Sequence, residues 1–157
     1  MTAHCLDCGS TKIAKPSREK DRSTPQLRRF FAIVKAAFIH WPERTPSEFR
    51  PKSAEHLRYW LEMKADYFTV TTMARISRHD PGQTYELVRA FLKHSEDERL
   101  FLELDGNLLI EKRTKSIDYD TLDSSAFSKL KDAVCDVIKA ETGMEAEQLL
   151  RETERAA

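Results

Sequence analysis

Apolar residues recur every three or four positions over several stretches of the chain, a spacing that predicts amphipathic helices. The first helix begins at Thr24-Pro25, where a capping residue precedes a proline suited to the first helical turn, and it ends at Pro42. The second is capped by Ser53 and ends near Ala65. The apolar residues of the first helix, which we expect to face the core, are Leu27, Phe30, Phe31, Val34, Phe38 and Trp41.

The second half of the chain carries further helical signals. A short helix is predicted to begin at Asp80-Pro81-Gly82. A longer one is capped by Asp123 or Ser124 and is stopped by Gly143, and a shorter acidic helix through Leu149-Leu150 follows it. The inward positions of the longer helix are Phe127, Leu130, Val134, Val137 and Ile138.

Three segments have the pattern of strands. Residues 67–76 are rich in aromatic and β-branched types, which favours a strand. Residues 100–104 and 108–111 have leucine or isoleucine at every second position, on either side of Asp105-Gly106, a dipeptide suited to a type I′ hairpin turn. The predicted class is therefore α+β: a small antiparallel sheet that includes a hairpin, with about four helices on one face.

Length and composition indicate one domain. The 157 residues are 40% hydrophobic and 33% charged, enough for one ordinary core but short for two. Residues 1–22 lack apolar periodicity and predict a flexible arm that contains cysteines, so residues 23–157 form the α+β domain. With no basic leader, no apolar run of about 18 residues and an odd number of cysteines, we predict a cytoplasmic protein that contacts no membrane.

Positive charge is concentrated at the front of a chain whose formal net charge is zero. Residues 1–60 carry 12 Lys and Arg against 6 Asp and Glu, and the remainder carries 14 against 20. A basic, amide-bearing outer face on the first helix can contact phosphates without reading sequence, although such side chains also serve simply to solvate a helix. The candidate nucleic-acid-binding residues are Arg22, Gln26, Arg28, Arg29 and Lys35.

A metal site is suggested only at the N-terminus. Cys5 and Cys8, preceded by His4, have the spacing of half a zinc site. No second cysteine pair completes it, so the sequence favours unliganded thiols and no cofactor, with zinc as the alternative. Cys135 lies beside Val134, which favours a small buried hydrophobic residue over a nucleophile.

No recognised catalytic pattern is present. Asp118, Asp120 and Asp123 together resemble part of a metal-dependent nuclease site, but Asp123 is needed as a helix cap and no second acidic motif accompanies them. The chain has only four glycines and no phosphate-binding loop, and its five histidines form no metalloprotease motif. We therefore predict a protein that is not an enzyme.

Two segments carry a family resemblance. Arg22-Ser-Thr-Pro-Gln26-Leu-Arg28-Arg29 resembles the R-S-x-x-Q-N-R opening of the NinB (Orf) recombination proteins of lambdoid phages and of related prophage proteins, with Leu27 in place of Asn. Residues 115–127, which run into the helix that ends at Gly143, look like the C-terminal segment of such proteins. The resemblance implies a dimeric, non-enzymatic DNA-binding protein that assists phage recombination, with contacts at Arg22, Ser23, Gln26 and Arg28 or Arg29.

Two functions from different classes are consistent with these observations. The first is a phage or prophage DNA-binding accessory protein, a homodimer that uses residues 22–35 against phosphates and exposed aromatic rings against single-stranded bases. The alternative is a counter-defence protein that binds and inhibits a host nuclease or CRISPR complex. Small size, charge segregation and the lack of catalytic motifs motivate this alternative.

Overall fold

In the residues that the structure describes, five helices and a three-stranded antiparallel sheet confirm the predicted α+β class. The structure of the chain, a computed structural model, describes residues 24–76, 80–93, 97–117 and 122–156. The predicted arm, with Arg22, Cys5 and Cys8, lies outside the described residues. The elements, in chain order, are α1 (Thr24–Ile39), α2 (Ala54–Lys64), β1 (Phe68–Arg75), α3 (Pro81–Lys93), β2 (Leu100–Asp105), β3 (Leu108–Thr114), α4 (Ser124–Thr142) and α5 (Ala146–Ala156).

The core lies between helices rather than under the sheet. Helix α1 packs against α5, α2 and α4, and α2 packs against α4 and β3. The rings of Phe30 and Phe127 meet edge to face at 5.4 Å between centroids and join α1 to α4. A stack of Phe49 on Trp60, 4.4 Å between centroids, fastens the loop after α1 onto α2. Among the described residues, the largest apolar side chains that are fully buried are Phe30, Phe127, Leu57, Leu61, Ile138, Leu149, Val34 and Val134.

Helix α1 begins at the predicted residue, but one of its predicted core residues is exposed. Phe30 is fully buried and Phe31 is 44% exposed, so the prediction that Phe31 faces the core is wrong. Adjacent helical residues point about 100° apart, and the core side of the helix is completed by Ile33, Ala36 and Ala37 instead. The aromatic ring of Phe31 is thus left at the surface.

The sheet has the strand order β1-β3-β2. β2 and β3 form the predicted hairpin, with Asp105 paired to Leu108. The two loop residues are therefore Gly106 and Asn107, and the predicted type I′ turn at Asp105-Gly106 is wrong. Only Gly106 of the two has a positive φ, 59°, which is the pattern of a type II′ turn with glycine at its first central position.

Both predicted ends of α4 are confirmed. The Asp123 carboxylate accepts a hydrogen bond from the backbone N–H of Ala126 at 2.7 Å, which satisfies one of the unpaired donors of the first turn. Gly143 ends the helix in the left-handed conformation, with φ 72°. α2 likewise begins at its predicted cap, because the Ser53 hydroxyl accepts from the backbone N–H of His56 at 2.9 Å.

Candidate nucleic-acid interface

A mixed basic and apolar stripe runs along the outer side of α1. Arg28, Phe31, Lys35 and Ile39 are all exposed and are separated by three or four residues, so they lie in one row. We call these four residues the outer stripe. No ion pair joins Arg28 or Lys35 to any other described residue. Two positive charges therefore flank an exposed aromatic ring.

The ring of Phe31 is held by its neighbours although much of it is accessible. It contacts the buried ring of Phe30 edge to face, with 5.8 Å between centroids. The guanidinium carbon of Arg58 on α2 lies 5.7 Å from its centroid, within the range of a cation–π contact. Phe31 is thus supported from below and offers its accessible surface to a ligand.

An open cavity of about 300 Å³ adjoins the outer stripe. Its walls come from α1 and from the first turns of α2, so it lies in the groove between the two helices. The lining is Phe31, Val34, Lys35, Ala54, Glu55 and Arg58. This groove combines an apolar wall with two cations and one carboxylate.

Arg58, at the base of the groove, is fixed in position by two carboxylates on its own helix. Its guanidinium donates to Glu62 at 3.0 Å and to Glu55 at 3.2 Å, and it lies 4.2 Å from the ring centroid of Tyr59. Tyr59 in turn donates its hydroxyl to Glu55 at 2.8 Å, and this bond is the main reason that the pKa of Glu55 is lowered. The charge of Arg58 is therefore largely balanced, unlike the charges of Arg28 and Lys35.

Glu62 is a carboxylate with no exposed surface. Burial raises its pKa to about 7, and the nearby Arg58 opposes the rise. One oxygen accepts from Arg58, and the other has no hydrogen-bond partner among the described residues. The helix pair under the outer stripe therefore contains a group whose charge changes near neutral pH.

The structure separates the predicted site residues into three groups. Arg28 and Lys35 lie together on the outer stripe. Arg29 points toward α5, where it forms an ion pair with Glu147, and Gln26 lies about 200° around the helix from Arg28. Arg22 lies outside the described residues. The five predicted residues therefore do not form one surface, but two of them, Arg28 and Lys35, lie on the same side of α1.

Sequence reasoning missed Phe31 as an exposed ring, and it missed Arg58 and Glu62. The row Glu55, Arg58, Tyr59, Glu62 has the three- and four-residue spacing of ion-paired helix neighbours, so an Arg58 contact was detectable in principle. Nothing in that spacing indicates that Glu62 is buried, because the same pattern is common on exposed helix faces.

The other sequence candidates do not assemble into a reactive centre within the described ranges. Asp123 is occupied as the α4 cap, and Asp118 and Asp120 lie outside the described residues. Cys135 is half-buried, and burial raises the pKa of its thiol, which disfavours the reactive thiolate. Across the described ranges, no three His, Cys, Asp or Glu side chains come close enough together to hold a metal ion.

His56 belongs to an aromatic contact rather than to a site of this kind. Its ring stacks parallel to Phe101 of β2 at 6.1 Å and lies 5.1 Å from the Phe49 ring, and its Nδ1 accepts the backbone N–H of Lys52 at 3.1 Å. Burial lowers its pKa, so the neutral ring is favoured. It holds the loop before α2 against the hairpin.

Comparisons with known proteins give no family for this chain. No model of a known protein family, no curated protein and no solved structure matches it. In the part of the chain that the structure describes, each helix is too short or too polar to cross a bilayer.

Proposed function

We propose that this protein binds single-stranded nucleic acid without catalysing a reaction, through the outer stripe of α1. The observation that carries the proposal is the accessible ring of Phe31 between two cations, Arg28 and Lys35, that form no ion pair with any other described residue. Phosphates would contact the cations and a base would stack on the ring.

The geometry of the stripe suits a single strand better than a duplex. An unpaired base can turn its face onto an aromatic side chain, whereas duplex bases are already stacked on one another. The groove between α1 and α2 adds an apolar wall beside Phe31 and a fixed guanidinium, that of Arg58, at its base. We therefore expect weak dependence on sequence and a preference for single strands.

The resemblance of residues 22–29 to the opening of the NinB family supports the same proposal. In that setting the protein would act inside the host cell as a phage or prophage accessory to DNA recombination. The placement of Arg29 against Glu147 narrows the proposed contact set to Arg28, Phe31 and Lys35.

Stacking on Phe31 is tested by fluorescence anisotropy with a labelled single-stranded oligonucleotide and its abasic counterpart. Phe31→Ala is expected to weaken binding to the normal strand roughly tenfold, because one base–aromatic stack is worth about 1–3 kcal/mol. Binding to the abasic strand should be weak for the wild type and unchanged by Phe31→Ala. Leu87→Ala, which removes an exposed apolar side chain of α3 outside the outer stripe, is the control and should bind like the wild type.

Either of two results would contradict this proposal. One is a wild-type protein that binds no single strand at low salt. The other is a Phe31→Ala variant that retains its fold and binds the normal strand as tightly as the wild type does. Equal losses for Phe31→Ala on normal and abasic strands would mean that the ring contributes to binding without stacking on a base.

A second candidate, a counter-defence protein that binds a host nuclease or CRISPR complex, is favoured by a different feature. The strand β1 is exposed along almost its whole length, and its apolar side chains suit a protein partner better than a nucleic acid. A stoichiometric host partner that is recovered from lysate after nuclease treatment, that is lost in Val70→Lys/Met73→Lys and that is kept in Arg28→Glu/Lys35→Glu, would support this candidate over the first.

A further inference from the structure

The outer edge of β1 is open. β1 pairs with β3 along one side, and no described strand pairs with its other side. Every residue from 69 to 75 is exposed, including Val70 at 47% and Met73 at 60%. Edge strands of proteins are usually protected by lysine, proline or inward-pointing charge, but β1 has a single charged residue, Arg75.

A bulge in the middle of β1 sets which side chains share a face. Val70 pairs with Lys112 and Thr72 pairs with Glu111, so Thr71 is an extra residue in β1. Every second residue of a regular strand lies on the same face, so Leu108, Ile110, Lys112 and Thr114 of β3 share one face. Directly paired residues of β1 lie on the same face as their β3 partners. The β1 residues on one face are therefore Phe68, Val70, Met73 and Arg75, opposite Thr114, Lys112, Ile110 and Leu108.

This spacing makes β1 nearly symmetric about its own centre. In an antiparallel pair centred between Thr71 and Thr72, Val70 of one copy lies opposite Met73 of the other, and Phe68 lies opposite Arg75. Directly opposite residues of antiparallel strands share a face, and these pairs do so only because of the bulge. Without the extra residue the same alignment would put Val70 and Met73 on opposite faces.

We infer that the chain forms a two-fold homodimer by antiparallel pairing of the open β1 edges. The partner is a second copy of the chain because its β1 has the same extra residue. Thr71 of each copy then lies opposite Thr72 of the other, and every β1 residue has one residue opposite it. A partner strand without a bulge would have one residue too few opposite Thr71, as β3 does. The product is a continuous six-stranded sheet with β1 and its symmetry mate at the centre.

The side chains at this interface are compatible across the two-fold axis. Val70 of each copy contacts Met73 of the other, which reduces the exposure to water of the two large exposed apolar side chains of β1. The two Arg75 side chains stand about 23 Å apart, seven strand residues away from one another, so like charges do not meet. Each Arg75 lies across from a Phe68 ring.

Light scattering coupled to gel filtration tests the dimer with the full chain. The wild type should elute with twice the chain mass of 18.2 kDa. Val70→Lys/Met73→Lys should elute as a monomer with an unchanged circular dichroism spectrum, because both side chains are exposed in the single chain and the new charges would face each other in the dimer. Leu87→Lys, which changes an exposed apolar side chain of α3 that is 73% accessible, is the control and should remain dimeric.

A cysteine experiment tests the register and does not depend on the lysine variant being folded. In a background with Cys5, Cys8 and Cys135 replaced by Ser, Val70→Cys/Met73→Cys should oxidise to a covalent dimer, whereas each single variant should not. A monomeric wild type, or a dimer that survives Val70→Lys/Met73→Lys, would overturn the inference. A covalent dimer from either single cysteine variant would overturn the register. β1 and the outer stripe of α1 belong to different elements and share no residue, so the oligomeric state is measured independently of nucleic-acid binding.

Discussion

Phe30 and Phe31 are neighbours in sequence and have opposite environments. Phe30 has no exposed surface and meets Phe127, while Phe31 is half exposed. Hydrophobic periodicity cannot separate the two rings, because both fall within the wide apolar stripe of a surface helix. Their difference is set by where α2, α4 and α5 pack around α1, which is tertiary information.

This difference predicts unequal stability losses. Phe30→Ala should lower the free energy of unfolding by about 3–5 kcal/mol, because it leaves a cavity between α1 and α4. Phe31→Ala should cost about 1 kcal/mol or less, since it removes contacts from one side of the ring only. Urea denaturation followed by circular dichroism measures both. Similar losses for the two variants would place Phe31 in the core and would remove it from the proposed interface.

Glu62 gives the protein a pH dependence near neutrality. Its pKa is raised to about 7 in the folded chain, above the ordinary value of 4.5. Between these values the folded state holds a proton that the unfolded state releases, so stability rises as the pH falls from 8 toward 4.5. The free energy of unfolding of the wild type should increase on the order of 3 kcal/mol over this window, relative to Glu62→Gln.

Chemical denaturation at a series of pH values measures this difference. His56, whose pKa is lowered by burial, acts in the opposite direction as the pH falls below its ordinary value of 6.5. The comparison with Glu62→Gln cancels that effect because His56 is present in both proteins. Parallel stability curves for the two proteins would show that Glu62 does not titrate in this range.

At the scale of elements, the signals that decide helix ends act locally, and they were predictable. Ser53 and Asp123 cap their helices through their own side chains, and Gly143 ends α4 by its freedom at positive φ. The hairpin turn was misplaced by one residue because Asp105-Gly106 and Gly106-Asn107 both satisfy hairpin chemistry. The pairing of β2 with β3 in the observed register, Asp105 opposite Leu108, selects the second.

The C-cap of α4 can be tested with two glycines of different conformation. Gly143→Ala should lower the free energy of unfolding by about 1 kcal/mol, because an alanine at φ 72° is strained even though no atom crowds its Cβ. Gly82→Ala lies in α3, where a new Cβ would make an ordinary contact at 3.7 Å and helix propensity favours alanine. Thermal denaturation should show a lower melting temperature for Gly143→Ala and no decrease for Gly82→Ala. An equal loss for Gly82→Ala would contradict the assigned cause.

At the scale of the whole molecule, the distribution of positive charge along the sequence predicted only some of the residues of the candidate interface. The sequence places Arg28, Arg29 and Lys35 on one helix, but α5 takes Arg29 into a contact with Glu147. The sequence also gives no sign of the open edge of β1, since exposure of a strand depends on which elements fail to cover it. Surfaces formed by several elements therefore needed the structure, whereas single elements did not.

The most direct test of the central claim is the salt dependence of single-stranded oligonucleotide binding. For the wild type, log K should fall with log salt concentration with a slope of about −1.4, which corresponds to two phosphate contacts by Arg28 and Lys35. Arg28→Glu/Lys35→Glu should lose binding, and Arg44→Glu/Arg50→Glu, an equal charge change in the exposed loop after α1, should retain the wild-type slope. Equal weakening of binding in both double variants would show that overall charge rather than the outer stripe binds the strand, and would contradict the proposed interface.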